Sequence, residues 1–133
     1  MIFLDTNIIL RFILKDHPIY SPKAEEIIKK IDSGEVKVYI SWPTILEVVF
    51  VLQNSIKLPK KDITEKLLQI FHLENVTLAQ ENLIDTVFGY YADKNISLTD
   101  AYNAALMHKK KIKQIYSFDE DLDKIKEVKR FKP

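Results

Sequence analysis

MIFLDTN, residues 1–7, sets four apolar side chains directly against Asp5, Thr6 and Asn7. An ionised carboxylate is costly beside a buried segment unless something compensates it. The stretch reads as a short buried strand, Met1 to Leu4, that ends on Asp5. A helix follows over Ile8 to Leu14, with Thr6 or Asn7 available to cap it. The rest of the chain repeats that alternation. Ser21-Pro22 opens a second helix, with Ala24, Ile27, Ile28 and Ile31 at helical spacing and Gly34 ending it. Val36 to Ile40 alternates as a strand. Ser41-Trp42-Pro43 starts a helix running to about Asn54, and Pro59 to His72 forms the next, with Ile63, Leu67, Leu68 and Phe71 on one face. Val76 to Leu78 is a strand and Asn82 to Lys94 a helix. Ser97 or Thr99 caps a helix reaching about Lys111, and Ile112 to Tyr116 is the last clear strand. Alternating strands and helices imply an α/β fold: a short parallel sheet of four or five strands between two helical layers.

The 133 residues fit a single domain, 1–133, with one sizeable core. There is no cysteine, which excludes disulfides, cysteine-based zinc fingers and thiol nucleophiles. No apolar run approaches the ~20 residues that span a membrane, and Met1 to Leu4 lacks the basic start of a secretory signal. A cytoplasmic protein is expected. Twenty basic and nineteen acidic residues leave a net charge of +1, so no global field announces nucleic acid.

Four acids occupy particular places on this map. Asp5 and Asp119 each fall just past the carboxyl end of a strand, where parallel α/β sheets bind ligands. Asp100 opens the helix before the last strand, with Asn103 and Ala104 on its face. Glu47 lies in Ile45-Leu46-Glu47-Val48-Val49-Phe50-Val51-Leu52, a helix apolar nearly all round and hence expected to be buried. Each acid has a plain alternative. Asp5 can cap its helix, Asp100 can complete a Ser97-Leu98-Thr99-Asp100 capping box, Asp119 can begin a solvated turn, and Glu47 can pair with Arg11 or a lysine. Together they form a pattern that the separate alternatives explain poorly.

Two carboxylates ~6 Å apart repel by about 3 kcal/mol at an effective dielectric of 20. Full ionisation of four would cost on the order of 10 kcal/mol, comparable to the stability of a domain. Such a set takes up protons or binds cations. Oxygen donors without His or Cys suit Mg²⁺ or Mn²⁺, which in acidic sites support phosphodiester hydrolysis. Thr6, Asn7, Asn103 and Ser117 are neutral groups able to position acids, water or phosphate. Arg11 and Lys15 follow the first turn and are candidates for contact with phosphate or RNA. His17, His72 and His108 are scattered without metal-ligand spacing. His108 to Lys113 is the main basic run, at a helix end where cations complement the dipole. Trp42, Tyr90, Tyr91 and Tyr102 could stack on bases, although Trp42 precedes a buried helix and suits the core.

The segments FLDTNIIL, PTILEVVFVL, SLTDAYNAAL and IYSFDEDLDKI resemble, in order and spacing, the PIN domain nucleases, and among them the VapC toxins of toxin–antitoxin pairs. HPIYSPKAEEIIKKIDSGE is similar to their second-helix segment. The resemblance covers nearly the whole chain. It implies a Mg²⁺- or Mn²⁺-dependent ribonuclease, with Asp5, Glu47, Asp100 and Asp119 as the catalytic acids and Asp5, Asp100 and Asp119 as metal ligands. A further acid comes from Glu120, Asp121 or Asp123, of which Asp121 is preferred. It also implies a homodimer and a small antitoxin partner. The apolar stretches Phe12 to Leu14 and Val48 to Leu52 agree with a dimer. Other readings are a solitary PIN nuclease in RNA processing and a non-catalytic RNA- or protein-binding PIN module. A flap-type DNA nuclease would need helical additions, and the length of the chain disfavours it. A haloacid dehalogenase-type phosphatase would need Asp at position 7, where Asn stands.

Overall fold

The structure, a computed structural model, describes residues 1–133 and divides into two compact units, Met1–Glu81 and Asn82–Pro133. In the first unit β1 (Ile2–Phe3) leads into α1 (Thr6–Leu14) and α2 (Tyr20–Asp32). These are followed by β2 (Val38–Ile40), α3 (Trp42–Phe50), α4 (Lys60–Phe71) and β3 (Val76–Leu78). The strands pair in parallel in the order β1-β2-β3, with Ile2 opposite Val38 and Val38 opposite Val76. Parallel pairing requires a crossover between strands, which the helices provide. The core gathers Ile9 and Leu10 of α1, Ile28 and Ile31 of α2, Val38 and Ile40 of β2, and Ile45, Val48 and Val49 of α3. α4 buries Ile63, Leu67, Ile70 and Phe71, so Ile70 takes the core position expected of Leu68.

The first strand differs from the sequence expectation. Ile2 is 61% and Phe3 72% exposed, and only Leu4 is buried. β1 is one of the two outer strands of its sheet, the other being β3, which buries Val76 and Leu78; Phe3 makes an edge contact with the ring of Tyr39. The third helix also ends early: after Phe50 the chain widens into one π-helical turn, Val51–Ser55. Trp42 is buried, with its indole N–H donating to the Ala79 carbonyl at 2.7 Å.

In the second unit α5 (Ile84–Lys94) and α6 (Leu98–Lys110) precede a two-stranded parallel sheet, β4 (Gln114–Tyr116) and β5 (Lys129–Phe131). A 3-10 turn, Glu120–Lys124, connects the strands. Val87, Phe88 and Tyr91 of α5 and Ala101, Ala104 and Ala105 of α6 are buried. The alanines let α6 approach α5 closely, because they add little bulk at the contact. Burial pushes the Tyr91 phenol up to about 12, and this ring belongs to the core. The architecture is α/β with parallel strands throughout, but a single sheet of four or five strands is not what is observed. Five strands form one three-stranded and one two-stranded sheet. Each strand has only two or three residues, which limits how much ladder any pair can form. β5 is the strand that the sequence reading lacked.

Gly34 closes α2 at φ +83°, its N–H bonding the Ile31 carbonyl, which also accepts from the Asn75 amide at 3.1 Å. A Cβ added there would meet Asn75 at an ordinary 3.5 Å, so strain in the left-handed backbone is the cost. Gly34→Ala is predicted to lower stability by about 1 kcal/mol in urea unfolding. An unchanged midpoint would contradict the need for glycine.

Candidate active site

In the first unit the carboxyl end of β1 delivers Asp5 to the start of α1. Asp5 stands at the N-cap with extended backbone, yet its side chain makes no capping bond. The plain capping role therefore does not account for this exposed carboxylate. Thr6 is buried, and its hydroxyl donates to Glu47 Oε2 at 3.2 Å. Because Asp5 and Thr6 are consecutive, that bond ties Glu47 to the end of β1. Glu47 itself is exposed, contrary to the burial expected of it. On α3 the stripe Ile45, Val48 and Val49 faces the core, while Pro43, Glu47 and Phe50 share the opposite, exposed stripe. Phe50 is a large apolar residue on the solvent side, which is why the segment looked apolar all round.

Asn7 is exposed beside Asp5. Arg11 is engaged by Asp16, with Nη1 2.8 Å from both carboxylate oxygens. Lys15 is exposed and ends α1 in the left-handed conformation.

In the second unit Asp100, Asp119 and Asp121 bring one carboxylate oxygen each within 4.8 Å of one another. Three local devices hold them. Ser97 caps α6, its hydroxyl accepting from the Asp100 N–H at 3.1 Å. Ser117 accepts from the Asp119 N–H at 3.0 Å, and Asp119 Oδ1 in turn accepts from the Asp121 N–H at 2.9 Å. Arg130 of β5 grips the same loop from behind. Its Nε and Nη2 each lie 3.0 Å from an oxygen of Asp123, and Nη1 donates to the Ser117 carbonyl. Those hydrogen bonds hold the Asp123 carboxyl below its ordinary range. Asp123 is thus committed to Arg130, and Glu120 is not part of the three-carboxylate group. Asp121 belongs to it, although Lys124 also reaches Asp121 at 3.1 Å. Asn103 is exposed on α6.

Sequence reasoning missed Arg130. Its partners lie seven and thirteen residues away, across a turn that no periodicity reveals.

Asp100 carries the electrostatic signature of the group. Its carboxyl is raised above the ordinary range, first by burial and then by the negative charge of Asp119. A side-chain hydrogen bond with Asp119 adds to the shift and one with Ser97 opposes it. At 4.8 Å a pair of full charges repels by roughly 3 kcal/mol at an effective dielectric of 20, before solvent screening reduces it. Three oxygen donors with no His or Cys among them fit a hard divalent cation, which would remove that repulsion.

The PIN domain family model matches residues 2–128, nearly the whole chain. No curated protein and no solved structure gives a match. No helix is long and apolar enough to cross a membrane.

The raised Asp100 carboxyl fixes a sign. Between its ordinary and its raised pKa the folded state binds more protons than the unfolded state, so stability falls as pH rises through that window. In chelator-treated protein at pH 7, Asp100→Asn should raise Tm by about 3–5 °C, the shift that roughly 1 kcal/mol makes after solvent screening. The gain should vanish near pH ~3, where Asp100 is protonated in both states. A variant that melts lower at pH 7 would contradict the repulsion.

Proposed function

The chain belongs to the PIN domain family, whose members are generally nucleases that use divalent metal ions, and on that footing we propose that it is a metal-dependent endoribonuclease. The observation that carries the proposal is the Asp100, Asp119 and Asp121 group, held together against its own repulsion by Ser97, Ser117 and Arg130.

Asp100, Asp119 and Asp121 would hold Mg²⁺ or Mn²⁺. Asp5 is assigned to the metal as well, by the resemblance of FLDTNIIL to the family's first motif. The ion supplies charge neutralisation at the scissile phosphate and makes water more acidic. The reaction assigned to the chain is hydrolysis. Water attacks phosphorus and passes a proton to a carboxylate, the P–O3′ bond breaks, and that proton is returned to the 3′-oxygen, which leaves as a hydroxyl. Glu47 keeps one oxygen on Thr6 and has the other for water or a proton. Asn7 and Asn103, both exposed and uncharged, suit contacts with phosphate oxygens that add no further negative charge. The assignment of Asp5 and Glu47 to this reaction rests on the resemblance of their motifs to those of the family.

The finer reading is a VapC-type toxin, cytoplasmic, dimeric and held by a small antitoxin. It rests on the sequence motifs alone. Val48, Val49 and Leu52 are buried within the chain itself, which leaves the half-buried Phe12 to Leu14 and the exposed Phe50 as its apolar support for a dimer. A small upstream reading frame encoding a DNA-binding start and an amphipathic tail would support the toxin reading, and its absence would favour a solitary RNA-processing nuclease.

Cleavage of a labelled single-stranded RNA in Mn²⁺ tests the activity. Asp5→Asn, Glu47→Gln, Asp100→Asn and Asp119→Asn should each lose on the order of a hundredfold or more in kcat/KM. EDTA should abolish cleavage. Wild-type rates in any one variant would remove that residue from the reaction.

A further inference from the structure

In the first unit, α1 and the start of α2 enclose a groove of about 510 Å³ that begins at Asn7, two residues past Asp5. Its floor is apolar, from Ile8 and Ile27. Its walls carry two kinds of group. The first is an aromatic pair: the rings of His17 and Tyr20 stack at 4.3 Å with 14° between their planes. Both the Ile19 and Tyr20 N–H groups donate to His17 Nδ1, at 3.2 and 2.9 Å, which fixes the imidazole and leaves Nε2 as its donor in the neutral ring. Tyr20 is 59% exposed, so the ring is covered by His17 on one side and open elsewhere. The second kind is cationic. Lys23 is exposed and takes part in no ion pair, and Arg11, though held by Asp16, also lines the groove.

An open aromatic ring, a fixed imidazole donor and a free ammonium beside an apolar floor match a nucleotide: base on ring, phosphate on cation. We propose that this groove is a substrate subsite that binds one nucleotide of a single-stranded RNA, with the base stacked on Tyr20 and the phosphate held by Lys23. The choice of RNA rests on the ribonuclease reading. The subsite adds to it a specific place where the strand is gripped outside the carboxylates. Stacking is tolerant of base identity, so the subsite contributes affinity for unpaired RNA and little sequence preference. Duplex RNA, whose bases are already stacked, cannot use it.

The test separates binding from cleavage. Fluorescence anisotropy with a labelled oligouridylate 12-mer in EDTA reads binding without turnover. Tyr20→Ala and Lys23→Gln should each weaken binding at least fivefold. Tyr20→Phe should bind like the wild type, because the ring and not the hydroxyl is used. Lys23→Gln should also reduce the salt dependence by roughly one phosphate contact. Both side chains are exposed, so melting curves should match the wild type. In cleavage assays with Mn²⁺ the same variants should raise KM and leave kcat within about twofold. Unchanged affinity and salt slope in both variants would overturn the subsite, as would wild-type protein that binds duplex as well as single strands. Tyr20-dependent binding without any cleavage would sustain the subsite and overturn the nuclease reading instead.

Discussion

Asp100, Asp119 and Asp121 keep three carboxylate oxygens within 4.8 Å of one another, and like charges at that distance push the loop apart unless other bonds resist. Much of the second unit's local structure is that resistance. Ser97 fixes the backbone at the start of α6, from which the Asp100 side chain projects. The loop after β4 folds on itself through the Ser117–Asp119–Asp121 chain of hydrogen bonds. Arg130 supplies the only cation with a two-pronged grip on that loop, and it takes Asp123 and not a member of the group. Each serine contributes a hydrogen bond without adding charge. The raised carboxyl of Asp100 records its burial first and the negative charge of Asp119 second.

The first unit treats its acids differently. Asp5 and Glu47 are both exposed, and the one tie among them is the Thr6 hydroxyl. Thr6 is buried at the root of α1, so its side chain has a single orientation to offer. A buried hydroxyl that donates to Glu47 restrains this carboxylate while leaving its second oxygen available. The absence of a capping bond at Asp5 fits the same logic. A carboxylate spent on the helix start would be less available to a ligand.

Much of this was legible in the sequence, for physical reasons that differ by element. α2 and α4 carry apolar residues at strict helical spacing, and their spans were close. α6 was legible from its capping candidates, Ser97 or Thr99, of which the structure uses Ser97. The acids were legible because the ends of strands are where the chain turns, and Asp5 and Asp119 both fall there. Burial was the weak point. Ile2 and Phe3 are apolar, yet an outer strand need not hide its side chains. The apolar Phe50 shares the exposed stripe of Glu47, so composition alone makes that stripe resemble core. β5 was invisible: Lys129, Arg130 and Phe131 show no alternation, and pairing with β4 is a tertiary fact. Arg130's role was hidden with it.

The central claim is that these carboxylates direct water at phosphorus, and the products of cleavage report that step most directly. The RNA should be cut in Mn²⁺ and ¹⁸O-labelled water and the ends read by mass spectrometry. The account predicts a 3′-hydroxyl and a 5′-phosphate that carries one ¹⁸O. A 2′,3′-cyclic phosphate with no label would mean that the RNA's own 2′-hydroxyl attacks, and would contradict it.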